Sequence, residues 1–331
     1  MKITILGAGS FGTAIASHLA SLKNDVLLWT IDQAQANSIN SFSINTFCFK
    51  EVKLDNKISA TTDLECAFAF SNKVIMAIPS QFVREVLEKI DQAKHRDIHI
   101  LNLSKGIEIK TGKFLHQIYS EICPDYIYSA LSGPSHAEEV MSQCPTTVSV
   151  ASFLDKEAEM WQSIVTGNSF RAYTSHDVIG LEVGGATKNI YAIASGIAKA
   201  MNLGDNAVAA LACRGLSEMM RFGIAMGASP ITLSGLAGVG DLIVTCCSIH
   251  SRNFRLGYAL GSGKSLDEAT KELGQVAEGV YTAKAIVENS KQFNVEMPLA
   301  EGVYRVLFNN ASPSDILKEL FARPVKSENL L

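Results

Sequence analysis

A glycine-rich segment near the N-terminus constrains the fold of this chain more than any other feature. The pattern GxGxxG spans Gly7–Gly12, after a buried-strand pattern at 2–6 and before a helical pattern at 13–22. A second strand pattern at 25–30 leads to Asp32, 20 residues past the last glycine. A bare GxGxxG also occurs in ordinary glycine-rich turns. With a strand, a helix and an acidic residue at these spacings, it predicts a dinucleotide-binding unit.

Each glycine has a separate physical task in such a unit. Gly7 allows the tight turn, Gly9 lets the backbone approach the pyrophosphate, and Gly12 lets helix and strand pack closely. The helix that follows meets the negative charge with its unpaired N–H groups and the positive end of its dipole.

The residue at position 32 bears on the choice of cofactor. Asp32 is expected to accept a hydrogen bond from the adenosine ribose, which favours NAD(H) over NADP(H). Its neighbour Ile31 carries no charge for a 2′-phosphate, although Lys50 or Lys53 could supply one. The prediction is therefore NAD(H) or NADP(H), with NAD(H) favoured.

Strand and helix patterns alternate over roughly the first 175 residues, and helical patterns fill the rest. This predicts an α/β fold: an N-terminal Rossmann-type, doubly wound, mostly parallel sheet over 1–177, then an all-helical substrate and catalytic domain over 178–331. The segment between 31 and 61 has the composition of loops. Further strands are predicted at 73–78, 98–103, 126–131, 146–151 and 170–173, and helices at 64–70, 81–90, 157–165, 207–226, 230–236, 265–273, 279–292, 299–309 and 313–322.

The long helix predicted to start at Asp177 has two unlike faces. One face is apolar, and the other carries small residues around a single lysine, Lys188. A solvated face would be rich in long charged side chains, whereas small residues let a backbone or a flat ligand approach. Lys188 is therefore predicted to be catalytic; the alternative is an exposed helix lysine.

Four further positions carry chemistry. Lys105 follows the strand at 98–103, where ligands bind in doubly wound sheets, although a surface lysine would fit that position equally well. Asp241 lies in a glycine-rich break of the helical pattern, and Ser135 is expected to cap a helix that begins at Ala137. Arg252 stands in the first turn of a helix that Ser251 caps. A cation opposes the helix dipole there, so a bound phosphate explains it better.

Composition excludes several classes of protein. The net charge of −4 lacks the basic excess of a nucleic-acid or membrane-surface protein. The seven scattered cysteines have no CxxC spacing, which is typical of reduced thiols, and no histidine cluster predicts a metal. Without a signal-peptide pattern or an uninterrupted apolar span, the chain is expected to be cytoplasmic.

Together these motifs resemble those of the bacterial-type NAD(P)-dependent glycerol-3-phosphate dehydrogenases. The resemblance runs nearly the full length of the chain, with the family's order and spacing. It rests on GAGSFG (7–12), SKG (104–106), SGPS (132–135), GGATKN (184–189), GVGDL (238–242), SRN (251–253) and QVAEG (275–279). It implies reduction of dihydroxyacetone phosphate to sn-glycerol 3-phosphate, a phospholipid precursor, by a homodimer.

The resemblance also implies roles for individual residues. Lys188 is the proton donor and acceptor, and Lys105 contacts substrate and cofactor and lowers the pKa of Lys188. The substrate site further comprises Gly133, Ser135, Asn189, Asp241, Ser251, Arg252 (on the phosphate) and Asn253. Besides the three glycines and Asp32, the cofactor site comprises Ser10, Phe11, Lys105, Ala137, Arg252, Val276 and Glu278.

The chain departs from the family at several positions. Ile31 replaces a frequent arginine or histidine, and His136, Glu138, Lys199, Asp205 and Phe254 replace other common residues. None is a proposed catalytic residue. Two alternatives remain: a dehydrogenase of hydroxy acids, whose substrate carboxylate would occupy the Arg252 site, and a dinucleotide-sensing module without turnover.

Overall fold

The computed structural model describes residues 1–274, 277–325 and 327–328. The chain divides into two compact units. The first comprises 1–104, 115–131 and 135–178, and the second comprises 105–114, 132–134 and 179–331. The second unit thus takes in two short segments from the first half of the chain, which a single cut at 177/178 does not capture.

The first unit consists of strands and helices in alternation. In chain order they are β1 (Lys2–Leu6), α1 (Ser10–Ser21), β2 (Asp25–Trp29), α2 (Gln33–Phe42), β3 (Ile44–Asn45), β4 (Phe49–Lys53), β5 (Ile58–Thr61), α3 (Leu64–Phe70), β6 (Lys73–Met76), α4 (Val83–Glu88), β7 (His99–Asn102), α5 (Leu115–Ile122), β8 (Ile127–Ser132), α6 (Ala137–Met141), β9 (Thr146–Ser152), α7 (Asp155–Val165) and β10 (Phe170–Ser175). The strands predicted from apolar runs are confirmed, each within two residues at its ends.

Eight of these strands form one sheet in the order β10-β9-β8-β7-β6-β1-β2-β5. The pairs β1–β2, β1–β6, β2–β5, β6–β7, β7–β8 and β9–β10 are all parallel. The strand order reverses between β1 and β6, so the crevice beyond their carboxyl ends is where such a sheet binds ligands. The predicted doubly wound parallel fold is confirmed.

The segment between residues 31 and 61 was expected to be loop-rich, and this was wrong. It holds α2, the antiparallel pair β3–β4 and the sheet strand β5. The helix α2 is rich in Gln, Asn and Ser and has few apolar residues, while β3 is two residues long. Neither gives the hydrophobic periodicity on which sequence patterns depend.

The second unit is helical, as predicted. Its helices are α8 (Val178–Ala200, whose first residue belongs to the first unit), α9 (Asp205–Ala225), α10 (Pro230–Leu233), α11 (Asp241–Cys247), α12 (Arg252–Gly261), α13 (Leu266–Leu273), α14 (Glu278–Gln292), α15 (Pro298–Phe308) and α16 (Pro313–Phe321). Its core packs the apolar face of α8 against α9, α14 and α15, and also takes in Ile107 and Phe114.

The expected break at Gly238–Leu242 is not a break. Residues Leu236–Gly240 form a π-helical turn that continues directly into α11. Glycines in a sequence indicate an interruption, but the π turn packs closely against α8 through a glycine of that helix. A Cβ on Gly184 of α8 would lie 2.3 Å from the carbonyl oxygen of Ala237 in the π turn. Such turns are frequent at functional sites.

Among the described residues, one stretch, Pro230–Cys247, has the length and apolarity of a membrane span. Length and composition are weak grounds for a span. This stretch consists of α10, the π turn and α11, and it contains Asp241, which pairs with two lysines of the same unit.

Candidate active site

Three charged side chains of the second unit converge on one point. The carboxylate of Asp241 accepts from Lys188 Nζ at Oδ1 and from Lys105 Nζ at Oδ2, the latter at 2.8 Å. Asp241 is 1% exposed and Lys188 is 7% exposed. Asp241 and Lys188 are thus almost fully removed from solvent, and Lys188 is not the surface lysine of the alternative interpretation.

The local structure explains how the sequence reaches this arrangement. The small-residue face of α8 meets the π turn at Gly184, which brings the start of α11 close to Lys188. Asp241 is the first residue of α11, directly after the π turn. Lys105 Nζ donates a second bond, of 3.1 Å, to the carbonyl oxygen of Gly133. That glycine has a φ of +141°, a conformation that other residues rarely adopt.

Burial dominates the electrostatics of the cluster. Burial lowers the pKa of Lys188 to about 8, because the charged ammonium loses hydration; the nearby Lys105 charge adds to this, and Asp241 opposes it. For Asp241, burial alone would raise the pKa, but the charges of the two lysines outweigh it and the pKa is lowered. An amine with a pKa near 8 can act as both acid and base at neutral pH.

Thr245 completes the surroundings of the amine, and the sequence analysis missed it. Its hydroxyl donates to the carbonyl oxygen of Asp241 one turn earlier, so the Thr245 oxygen accepts from Lys188 Nζ, at 2.9 Å. The ammonium of Lys188 carries three N–H groups, of which Asp241 and Thr245 use two. No described residue accepts from the third, which is available to a ligand. A threonine four residues after an aspartate was the only signal in the sequence.

The helix α12 begins as predicted. Ser251 is its N-cap and accepts from the backbone N–H of Phe254. Arg252 occupies the first turn, is exposed, and makes no ion pair with any residue that the structure describes. Its guanidinium is therefore free for an anionic ligand.

Asn189 and Asn253 join three helices through their amide groups. Asn253 Nδ2 donates to Asn189 Oδ1 at 2.9 Å, and Asn253 Oδ1 accepts from the backbone N–H of Gly279, also at 2.9 Å. Asn189 Nδ2 donates at 3.4 Å to the carbonyl oxygen of Gly185. Asn189 follows Lys188 on α8, and Gly279 follows Glu278 on α14, so these hydrogen bonds link α8 to α12 and α14.

In the first unit, the glycine-rich turn fits a dinucleotide phosphate. Gly7 has a φ of +117°, and a Cβ there would lie 2.5 Å from the carbonyl oxygen of Ala77. Gly9 and Ser10 are exposed, and a Cβ on Gly9 would meet nothing within 4 Å. Within the described part of the chain, the backbone N–H groups of Ser10 and Phe11 have no acceptor. Open space above unpaired first-turn donors is the anion site expected of this turn.

Asp32 is the N-cap of α2, a role that the sequence analysis did not foresee. Its Oδ1 accepts from the backbone N–H of Gln35 at 3.0 Å. The structure describes no bond to Oδ2, which leaves that oxygen for a ribose hydroxyl. Ile31 beside it is 86% exposed.

The other predicted site residues lie at helix starts. The N-cap of α6 is His136 and makes no side-chain capping bond, so the prediction that Ser135 caps this helix was wrong. Ser135 precedes the cap, and Ala137 is the first residue of α6. Glu278 is the first residue of α14, while Val276 lies outside the described residues.

No cluster of three or more metal-ligating side chains occurs among the described residues. The two histidines four residues apart, His95 and His99, each contact a glutamate: Glu65 at 3.1 Å and Glu157 at 2.8 Å. Two of the departures from the family also pair with each other, since Lys199 Nζ lies 3.1 Å from Asp205 Oδ1. That pair is exposed and adds little stability.

Comparisons with known proteins agree on one family. The family models for the N-terminus and the C-terminus of NAD-dependent glycerol-3-phosphate dehydrogenase match residues 2–158 and 177–318. The chain is 44% identical to glycerol-3-phosphate dehydrogenases [NAD(P)+] of Staphylococcus saprophyticus and Staphylococcus aureus, over 99% of both chains in each case. A crystal structure of glycerol-3-phosphate dehydrogenase from Coxiella burnetii is similar to it with a TM-score of 0.93 and 35% identity, covering 97% of this chain and 99% of the other.

Proposed function

The chain belongs to the NAD-dependent glycerol-3-phosphate dehydrogenase family, and on that premise we propose that it interconverts dihydroxyacetone phosphate and sn-glycerol 3-phosphate with NAD(H) or NADP(H). Lys188 is the proton donor and acceptor. The observation that carries this proposal is the buried Lys188 amine, which keeps one N–H unused beside Asp241 and Thr245.

The same arrangement serves both directions of the reaction. In reduction, the protonated amine directs its third N–H at the carbonyl oxygen of the substrate and transfers that proton as negative charge develops there. The neutral amine that remains still donates to Asp241 and Thr245, so its lone pair keeps the orientation that the lost proton had. In oxidation, that lone pair accepts the hydroxyl proton. The nicotinamide of the cofactor supplies or accepts the hydride.

Asp241 and Lys105 set the position and the pKa of the Lys188 amine. The carboxylate fixes the position of both ammonium groups and offsets part of the cost of burying them. Lys105 lowers the pKa of Lys188 further by its charge. Lys105 is also placed to contact the substrate, because its side chain is 18% exposed whereas that of Lys188 is 9% exposed.

The rest of the substrate site follows from charge and position. Arg252 is the phosphate ligand, because it is an exposed and unpaired guanidinium at a helix start, which suits a phosphate dianion. The remaining substrate contacts that we propose are Gly133, Ser135, Asn189, Ser251 and Asn253. For the cofactor we propose Gly7, Gly9, Ser10, Phe11, Gly12, Asp32, Lys105, Ala137, Arg252, Val276 and Glu278.

Further proposals concern the setting of the enzyme. We assign residues 1–177 mainly to dinucleotide binding and 178–331 mainly to the substrate and to catalysis, with the segments 105–114 and 132–134 joining the second unit. The enzyme works in the cytoplasm as a homodimer and supplies glycerol 3-phosphate for phospholipid synthesis. All seven cysteines are free thiols, which supports a reducing compartment.

The experiment that tests the proposal compares two lysines of α8. Lys188→Ala should lower kcat for dihydroxyacetone phosphate reduction by about 10²- to 10⁴-fold, the usual contribution of a general acid, and leave the Kd for NADH nearly unchanged. Lys199→Ala, in the exposed last turn of the same helix, should keep normal kinetics. Turnover retained in Lys188→Ala would remove this residue from the mechanism.

A substrate panel with the wild-type enzyme separates the two alternatives. Activity on hydroxy acids but not on the triose phosphate would support the hydroxy-acid dehydrogenase. Tight NADH binding without turnover of any substrate would support the sensing module.

A further inference from the structure

A buried polar network surrounds the carbonyl oxygen of Ala8, inside the glycine-rich turn. We infer that Gln35 and Asn45 are positioning residues for the cofactor, because they hold this carbonyl so that the N–H of Gly9 faces the pyrophosphate. This inference rests on the dinucleotide cofactor of the family and does not depend on the role proposed for Lys188.

Two amide side chains donate hydrogen bonds to the carbonyl oxygen of Ala8. Gln35 Nε2 donates to Ala8 O at 2.7 Å and Asn45 Nδ2 donates to it at 2.9 Å. The Thr13 hydroxyl adds a longer bond of 3.2 Å. Asn45 is fully buried, and Gln35 is 7% exposed. The Cys48 thiol makes a weaker contact with the Ala8 carbonyl oxygen at 4.0 Å. An ordinary buried carbonyl needs one donor, so four donors on this one require a reason.

The geometry of the peptide bond supplies that reason. No cis peptide bond occurs among the residues that the structure describes, and in a trans peptide the C=O of one residue and the N–H of the next point in opposite directions. A carbonyl of Ala8 held toward the interior therefore turns the N–H of Gly9 toward the exterior. Gly9 is exposed, and its N–H donates to no residue in the described ranges.

Both N–H groups of each amide donate a hydrogen bond, which makes the arrangement rigid. The second N–H of Gln35 donates to Asn45 Oδ1 at 3.1 Å, and that of Asn45 donates to Thr13 Oγ1 at 2.8 Å. Gln35 Oε1 accepts from the Thr30 hydroxyl. Polar networks of this kind specify a single geometry because any other leaves a buried group unsatisfied.

Gln35 also joins the turn to the ribose site. The backbone N–H of Gln35 donates to Asp32 Oδ1 at 3.0 Å, which is the capping bond of α2. The backbone N–H of Asp32 donates in turn to Thr30 Oγ1 at 3.2 Å. One side chain and its own backbone therefore orient both the expected ribose acceptor and the expected pyrophosphate donor. The sequence gives no motif for this, since Gln35 and Asn45 lie in the segment that was expected to be loop.

The test measures NADH binding without turnover, by fluorescence titration, together with the melting temperature. Asn45→Ala releases the Ala8 carbonyl, and the Kd for NADH should rise about 10-fold, since a hydrogen bond to a charged group is lost or misdirected. The matched control is Asn40→Ala in the same unit. Asn40 makes two bonds of 2.8 Å to the backbone of Ala60 on β5, so its removal should lower the melting temperature and leave the Kd unchanged.

Gln35→Met, which keeps the side-chain length and removes both donors, should also raise the Kd about 10-fold. If Asn45→Ala does not fold, this variant decides the question. In the wild-type protein, NADH should shift the amide resonance of Gly9 and slow its hydrogen exchange. A folded Asn45→Ala or Gln35→Met with the wild-type Kd, or a Gly9 amide that NADH leaves unchanged, would overturn the inference.

Discussion

Asp241→Asn is the substitution that most directly probes the buried charge cluster. The wild-type carboxylate raises the pKa of Lys188 against burial and against the charge of Lys105, and the result is a pKa of about 8. Asparagine removes the negative charge but leaves the burial and the second lysine. The pKa of Lys188 must then fall below its wild-type value.

The sign of the pH effect follows from which protonation state each direction needs. Reduction needs protonated Lys188, so its rate is constant below about pH 8 and falls above it. In Asp241→Asn the fall should begin at lower pH. Oxidation needs the neutral amine, so its rising limb should move to lower pH as well. The falling part of the reduction profile and the rising part of the oxidation profile must shift together, because the titration of Lys188 causes both.

The size of the effect can be bounded from the burial of the pair. Removing one partner of a buried ion pair costs about 3–5 kcal/mol, which at about 1.4 kcal/mol per unit lowers the pKa of Lys188 by about 2 to 3.5 units. Because the wild-type pKa is about 8, the protonated fraction at pH 7, and with it kcat/KM for reduction, should fall about 10- to 300-fold.

The assay is the nicotinamide absorbance, followed in both directions across the pH range. Asp205→Asn is the control, because Asp205 pairs with an exposed lysine of the same unit and its removal should leave both limbs in place. A limb that stays near pH 8 in Asp241→Asn would show that Lys188 is not the titrating acid, which would refute the reasoning.

Three other substitutions give separate predictions. Arg252→Ala should raise KM for dihydroxyacetone phosphate about 10-fold or more; because Arg252 is also a proposed cofactor contact, unphosphorylated dihydroxyacetone should show a much smaller loss, and Arg255→Ala on the same helix should affect neither. Equal losses on both ketones would contradict a phosphate contact. Ile31→Arg should improve kcat/KM with NADPH relative to NADH, since it places a cation beside the ribose site; an unchanged ratio in steady-state kinetics would argue against that location. Burial raises the pKa of Glu218 to about 7, so the folded protein loses stability as pH rises from about 4.5 through 7. Glu218→Gln should remove about 3 kcal/mol of that pH dependence, as measured by unfolding at pH 5 and pH 8, and an unaltered slope would contradict the assignment.

Much of the fold could be predicted from sequence because its strands are buried on both faces. Runs such as 74–76 in β6 are continuous and apolar, and the GxGxxG turn fixes which strand comes first. The small-residue face of α8 likewise predicted that Lys188 would be enclosed. These signals are local, so they are readable without tertiary information.

The rest depended on contacts between distant segments. Thr245 matters because its hydroxyl is committed to a backbone carbonyl, which fixes it as an acceptor for Lys188; no spacing rule reveals that. Asn45 lies in a two-residue strand, and its importance comes from a carbonyl 37 residues earlier. The π turn before Asp241 was read as a break because glycine favours loops, whereas here the packing against α8 decides the conformation.

The path of the chain has a practical consequence for anyone who divides this gene. The backbone passes between the two units five times, and the short segment 105–114 belongs to the second unit. A fragment starting at residue 178 would therefore lack Lys105. Asp241 would then pair with Lys188 alone, whereas in the intact enzyme it pairs with both lysines. It would also have holes where Ile107 and Phe114 fill the helical core. Such a fragment should express as a poorly packed helical protein. A separate peptide with the sequence of 105–114 would lose its own conformational and translational entropy on binding to the fragment, a cost that is smaller when the segment is part of the chain.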